Sequence, residues 1–343
     1  MLVSVIVRSK DEADRLRLTL ASLEMQTVQP EIVVVNDGST DHTAKVLAEA
    51  STRLHLLIVT HPYAGGRSVA SNAGAARGKG DIILFLDGDT LAAPNLVERH
   101  IAAHANDSRT IARGETYHLR KTRFLKDPES GTPQPEHEER FARMKTKERD
   151  RLRVTRQQIL TDFAGIELSA APGIYPGAAP RRLYELEMDA LNNYPDCPVL
   201  WAAASGSNLS LRRNLFNEVG GFDPEIDINE HRELALRLCQ AGGRMRAAVG
   251  ARTYHLTHRI GWRDPLRDLN WERKFLTRHP IPSVKLLSVF WASLSDHDLV
   301  PPAARIMSLP ALAAASSGNL SNHDEIRRRI QQIPNERRQV DNR

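Results

Sequence analysis

Cysteine is nearly missing: the 343 residues hold two, Cys197 and Cys239. A pair so isolated excludes a disulfide framework and a cysteine-based zinc site, and it fits a reducing, cytoplasmic setting. Long apolar runs are absent too. The nearest to the ~18 residues a membrane span needs is the stretch 281–299, and Lys285, Ser293, Asp296 and Asp298 interrupt it, so it reads as packed helices. The opening run Leu2–Val7 precedes its charges and has no cleavage pattern behind it, so it reads as a strand rather than a signal peptide. Aromatic residues make up only 5% and are not interleaved with the arginines, which argues against a nucleic-acid surface. No Gly-x-Gly-x-x-Gly follows the first strand and no Gly-x-x-x-x-Gly-Lys-Ser/Thr occurs. The glycine-rich phosphate cradles of dinucleotide folds and P-loops are thereby excluded.

What is present is an ordinary globular balance, 41% hydrophobic and 26% charged, with a net charge of +5. That charge suits an anionic surface or an acidic small molecule and does not choose between them. The first hundred residues alternate in period. Leu2–Val7 is a strand, and Leu16, Leu20 and Leu23 recur as a helical stripe. Glu31–Val35 is a strand, and Val46, Leu47 and Ala50 make the next stripe. Leu54–Val59 and Ile82–Leu86 are two more strands, separated by the helix through Val69, Ala73 and Ala76. Strands joined by single helices form a parallel sheet, and all of them end on one edge. The clusters 9–12, 36–39, 62–67 and 87–90 therefore become neighbours, at the place where open α/β sheets bind ligands. The last cluster, Asp87-Gly88-Asp89, delivers two carboxylates to that edge. Two desolvated acids call for a cation, and Mg²⁺ characteristically shares such a site with substrate phosphates.

Four segments, VSVIVRSKDEADRLRLTLASL, EIVVVNDGSTD, SVASNAGAARGKGDIILFLDGD and GSNLSLRRNLFNEVGGFD, together resemble the family 2 glycosyltransferases of the GT-A fold. The resemblance covers residues 1–104 and, more loosely, 200–258. It implies a GT-A type α/β fold, Rossmann-like, with a mostly parallel sheet and helices on both faces. It also implies a metal-dependent transfer, with inversion, from a nucleoside diphosphate sugar, a UDP-sugar first, to an unknown hydroxyl acceptor, as in polysaccharide biosynthesis. In that reading Asp37 contacts the base and Ser9 and Glu12 lie near the nucleoside. Asp87 meets the ribose or sugar beside Gly88, Arg67 and Asn72 approach the donor, and Asp89 binds Mg²⁺ or Mn²⁺. His255 completes the metal site, with His258 its neighbour. Where the family has a Glu-Asp pair at the start of a helix, this chain has Glu230-His231. His231 aligns with the usual base, Glu230 is the alternative and Asp227 a third choice. Asp11 stands where Asn is common.

Elsewhere the residues speak more softly. Small residues around Gly206 and Asn208 let an acceptor approach the backbone, after a strand at Val199–Ala204. Between the two matching blocks, 117–196 is an insertion: a proline-rich loop, one long charged helix over Glu138–Glu167, a loop at 170–180 and a helix at Tyr184–Tyr194. The long helix is a solvated face or a lid whose Arg149, Arg153 or Arg156 meets an anionic acceptor. Arg244–Val249 is a further strand, and Trp262 can close over the donor. The expected division is 1–116 for the donor, 117–196 inserted, 197–260 for the acceptor, 261–318 a helical cap, and 319–343 a flexible tail whose arginines can touch an acidic membrane. Two rivals stand beside the transferase: a sugar nucleotidylyltransferase, and a catalytically silent nucleotide-sugar-binding scaffold.

Overall fold

The computed structural model describes residues 1–172, 183–258, 266, 268–295, 299–318 and 320–332. The alternation at the head of the chain builds what it predicts. Strands β1 (Val3–Ser9), β2 (Glu31–Asp37), β3 (Leu56–His61) and β4 (Ile82–Asp87) are joined by helices α1 (Ala13–Glu24), α2 (Thr43–Ala50) and α3 (Arg67–Arg77). They lie side by side in the order β3-β2-β1-β4, all parallel. A short β5 (Thr90–Ala92) and α4 (Leu96–Ala103) lead to β6 (Thr110–His118).

The insertion follows. It comprises a hairpin of β7 (Leu125–Asp127) and β8 (Thr132–Pro133), helices α5 (Glu138–Arg143), α6 (Thr146–Asp150), α7 (Arg156–Thr161) and α8 (Phe163–Leu168), the bridge β9 (Ala171–Pro172), and α9 (Leu183–Asn193). The chain then re-enters the sheet as β10 (Leu209–Arg212), passes through α10 (Arg213–Glu218) and α11 (Glu230–Gln240), and forms β11 (Arg244–His255). Strand β10 slots antiparallel between β4 and β6, and β11 runs parallel to β6 and antiparallel to β5. Because β10 opposes both β4 and β6, those two run the same way, and the sheet stays mostly parallel.

Period-two alternation assigns the faces. Val3, Val5 and Val7 of β1 and Ile82, Leu84 and Leu86 of β4 pack with the apolar stripes of α1, α2 and α4. Ile6, Ile83 and Phe85 face the other way, into a larger core with α10, α11, α9 and the C-terminal helices α12 (Asn270–Arg278), α13 (Pro282–Lys285), α14 (Leu287–Ser295), α15 (Leu309–Ser316) and α16 (Ser321–Gln331). Each such side chain, fully buried, contributes about 1.5–3 kcal/mol. A third cluster seats the insertion: Val154, Ile159 and Ile166 pack on Leu18 and Ala21 of α1 and on Leu91 and Tyr254 at the sheet's far edge.

Several local expectations give way. The long helix over 138–167 is four short ones: the Glu148 carboxylate accepts from the Lys145 amide at the start of α6, and Thr155 and Asp162 turn their side chains back to cap new helices at the amides of Gln158 and Gly165. Of the arginines expected to form a lid, Arg156 is held by Glu24 at 2.6 Å and Arg153 donates to the Glu129 carbonyl; both fasten the insertion down. The run Val199–Ala204 is no strand. Leu200–Ala203 forms a 3₁₀ turn buried in the larger core, where an all-apolar run has no alternation to tell turn from strand. Strand β11 does not stop at Val249; it bends at Gly250, whose φ is 78°, and continues to His255. Within the expected tail, residues 321–331 form α16, with Ile326 and Ile330 buried. Its Arg327 and Gln331 bind the buried carboxylate of Glu272, which takes Arg327 away from any membrane role. Among the described residues no helix is long and apolar enough to cross a membrane. Trp262, most of the 170–180 loop and residues 333–343 lie outside the described residues.

Candidate active site

The C-terminal edge of the parallel strands gathers the polar clusters. β4 ends at Asp87, and Gly88 then passes so close to β1 that a Cβ there would stand 2.5 Å from Glu12 Oε1 and 2.9 Å from Ser9 Cβ. Only glycine fits this approach. The Gly88 amide donates to the Arg8 carbonyl at 3.0 Å and its own carbonyl accepts from Thr19 at 2.9 Å. Asp89 is thereby turned into β5, which pairs with the end of β11 so that Thr90 faces His255.

That pairing builds one end of the site. Asp89 Oδ2 lies 3.2 Å from His255 Nε2 and 2.7 Å from His258 Nε2, and one ligand atom from each residue falls within 4.8 Å of the others. Burial works to raise the Asp89 carboxyl, but His255 and His258 hold it well below the usual range. Glu12 is driven the opposite way, well above its ordinary value, by burial and then by Asp89 and Asp87. His118 stands edge-on to His255 at 5.2 Å and is pushed down to about 3, first by burial and then by His255 and Arg120. One carboxylate and two imidazoles with convergent donor atoms, beside two more acids that repel each other, form a set that fits a divalent cation.

The other end is set by the first turn of α11. Asn229 precedes it with φ 63°, a left-handed conformation that Asn tolerates, and this starts the helix with Glu230 buried at 1% exposure. Glu230 Oε1 accepts from Arg8 Nη1 at 3.0 Å. Its Oε2 is buried and has no hydrogen-bond partner among the described residues. Burial raises the Glu230 carboxyl, yet His231, Arg8 and Arg67 outweigh it and hold the group well below the usual carboxylate range. His231 points its Nε2 at Arg232 Nη1, 2.7 Å away. A guanidinium only donates, so the imidazole lone pair on Nε2 is taken and the proton sits on Nδ1, 3.6 Å from Glu230 Oε1. Burial and then Arg232 push His231 down to about 4. Arg232 is itself fixed: it donates to Ala202, Asn229 and Glu187 and lies 5.1 Å from the Trp291 ring centroid.

Not every expected residue reaches these two ends. Asn208 is a correction: it is fully buried, its amide nitrogen donates to Ala251 and Glu115 carbonyls, and its Oδ1 meets His100 Nε2 at 2.7 Å. No face is left for an acceptor, and the residue locks β10 to its neighbours instead. Asn72 clasps the Phe222 backbone with both amide atoms, so its work is to join α3 to the turn before α11. Asp37 is buried with its carboxylate given to His61 and to the amides of Gly65 and Gly66; it shapes the loop that opens α3. Asp227 accepts from the Arg67 amide at that same loop. It stands where a Cβ on Gly66, whose φ is 89°, would meet it at 2.8 Å. Ser9, Glu12, Arg67, Asp87, Gly88 and Gly206 do lie at the edge. Sequence reasoning passed over Arg8, which links both ends, and Arg232. The one available signal for Arg8 was a charged residue closing an otherwise apolar strand.

Residues 4–165 match the family model described as glycosyl transferase family 2. Uncharacterized glycosyltransferase YfnE of Bacillus subtilis is 25% identical over 268 residues, which span 75% of this chain and 65% of that protein. Validoxylamine A glucosyltransferase of Streptomyces hygroscopicus subsp. limoneus is 37% identical over 108 residues, 30% of this chain and 24% of that one. The chain therefore matches less than two thirds of the length of either relative. Among solved structures, mannosyltransferase PcManGT from Pyrobaculum calidifontis, in complex with GDP-Man and Mn²⁺, superposes with a TM-score of 0.54 at 15% identity over 94% of this chain and 78% of that one. S. aureus TarS 1–349 in complex with UDP gives 0.52 at 16% identity over 98% and 77%. At such identities the likeness concerns the fold.

Proposed function

The chain belongs to the family 2 glycosyltransferases through residues 4–165, and from that premise we propose that it moves a sugar from a nucleoside diphosphate sugar, a UDP-sugar first, to an acceptor hydroxyl with inversion. The observation that carries this reading is Glu230, a buried carboxylate with an unpartnered oxygen at the same sheet edge as Asp87-Gly88-Asp89. A general base must reach the proton it removes and must be ionised at working pH. Glu230 meets the second condition through His231, Arg8 and Arg67. His231 does not serve, because its Nε2 is taken by Arg232.

In the proposed reaction the acceptor hydroxyl gives its proton to Glu230 Oε2 as its oxygen bonds the anomeric carbon, and the bond from that carbon to the diphosphate oxygen breaks. A single displacement inverts the centre. Asp89, His255 and His258 would hold Mn²⁺ or Mg²⁺, which when bound supplies Lewis-acid neutralisation of the departing diphosphate. Two imidazoles in the set favour a transition ion over Mg²⁺. Ser9, Glu12, Asp87, Gly88 and Arg67 would line the donor, with Asp37 acting through the 62–66 loop, and the Gly206 backbone would border the acceptor. Residues 1–116 and 197–260 then form the donor and acceptor halves around the 117–196 insertion.

The test is nucleotide release from a panel of UDP- and GDP-sugars with Mn²⁺, Mg²⁺ or EDTA. Release that needs the metal, and is faster with Mn²⁺, is expected; nucleotide release that ignores EDTA would contradict the metal-dependent reading.

A further inference from the structure

We propose that Arg8 is a positioning residue that ties the donor side of the site to the base: one guanidinium fixes Asp87 and Glu230 together and aims the free oxygen of Glu230 at the acceptor. This rests on the transferase reading above. Arg8 and Asp87 are direct partners across the parallel β1–β4 pair, so register alone sets them side by side. From there the fork spreads to three partners: Nε to Asp87 Oδ1 at 2.7 Å, Nη1 to Glu230 Oε1 at 3.0 Å and Nη2 to the Gly206 carbonyl at 3.3 Å. These partners come from β4, from the first turn of α11 and from the loop before β10, elements 79 to 222 residues distant in sequence.

The geometry has chemical content. A planar guanidinium donates in fixed directions, which a lysine ammonium cannot reproduce. With Oε1 pinned by Arg8, the carboxylate of Glu230 has one orientation, and the oxygen left over is the bare Oε2. The charged and titratable groups acting on Glu230 are Arg8 from β1, Arg67 from α3 and His231 from its own helix. Without Arg8, the buried Glu230 carboxylate would lose a guanidinium that neutralises it and would take up a proton more readily. The loss would be felt more in turnover than in nucleotide binding, because among the nucleotide's expected contacts Arg8 holds only Asp87, whereas Ser9, Glu12 and the 62–66 loop do not depend on it.

The experiment uses the full chain as wild type, Arg8→Gln, Arg8→Lys, Glu230→Gln and the Arg8→Gln/Glu230→Gln double variant. UDP and GDP binding with Mn²⁺ is measured by calorimetry, and nucleotide release from the sugar panel is followed across pH. Arg8→Gln should bind nucleotide within about threefold of wild type and turn over about 10²-fold more slowly. Its acid limb should move to higher pH, since removing a cation raises a carboxylate's pKa. Arg8→Lys should fall between the two and carries the same test if the glutamine variant fails to fold. On the Glu230→Gln background the Arg8 change should add less than about threefold, because groups acting as one unit are not additive. Full additivity, wild-type turnover, or lost nucleotide binding at unchanged saturated rate would each overturn the proposal. A slow Glu230→Gln beside a fast Arg8→Gln would overturn it alone, whereas a Glu230→Gln that works at wild-type rate would remove the base reading itself.

Discussion

In the proposed reading the site has two acid–histidine clusters built from similar parts and set to opposite purposes. At one end Asp89 meets His255 and His258, and both Nε2 atoms converge on a single carboxylate oxygen. At the other Glu230 sits beside His231, whose Nε2 is turned away to Arg232. The third group decides the difference. Convergent donor atoms suit a cation, while an arginine that occupies one imidazole nitrogen leaves the carboxylate, rather than the ring, as the base of the proposed reaction. A carboxylate next to a histidine therefore has no fixed role. Its role follows from what the far nitrogen of the ring is doing.

The comparison breaks or sharpens under substitution. The largest effect is expected from Asp89→Ala, which should cut donor turnover by about 10³-fold or more and abolish the Mn²⁺ dependence of nucleotide binding, read by release assays with and without EDTA. Glu230→Gln should cost about 10²–10⁴-fold in turnover while nucleotide binding stays at the wild-type level. His231→Ala should cost less than about tenfold by the same reasoning; a loss equal to that of Glu230→Gln would erase the distinction between the clusters. The smallest effect lies away from the chemistry, at two histidines that serve neither purpose. His100 and His104 are fully buried on Ser210 and Asn208, and burial pushes them down to about 4 and about 3. They stay neutral in the folded chain but take up a proton near pH ~6.5 once unfolded. Their stabilising share is thus complete above ~6.5 and declines as pH falls below it, by up to about 1.4 kcal/mol per pH unit for each. Urea unfolding between roughly pH 7 and 5 should show this slope, and His104→Gln should flatten it.

Much of the architecture was legible because it rests on periodicity. Alternating strand runs and helical stripes fixed β1 to β4, and with them the edge that collects Ser9, Glu12 and Asp87-Gly88-Asp89. Strand direction leaves no such trace, so the antiparallel entry of β10 between β4 and β6 was not foreseen. Runs that are apolar throughout, such as Val199–Ala204, carry no period at all. Charged segments misled differently: one charge-dense stretch looked continuous, whereas capping by Thr155 and Asp162 cut it into pieces. At the site, residue types pointed to the sheet edge but not to their partners. Asn208 looked like a substrate contact and is a buried brace, His231 has its Nε2 turned to Arg232, and Arg8 looked like the polar end of a strand yet spans β1, β4 and α11. Long-range pairing of this kind is a property of the folded sheet, and a linear pattern does not encode it.

The division of labour between the two clusters is tested most directly by titrating UDP and GDP, each with and without Mn²⁺, into wild type, Asp89→Ala and Glu230→Gln in a calorimeter. Metal-dependent nucleotide binding that survives in Glu230→Gln and disappears in Asp89→Ala is the expected result. Binding that survives in Asp89→Ala with its metal dependence intact, or that is lost in Glu230→Gln, would contradict the assignment of the metal to one cluster and the base to the other.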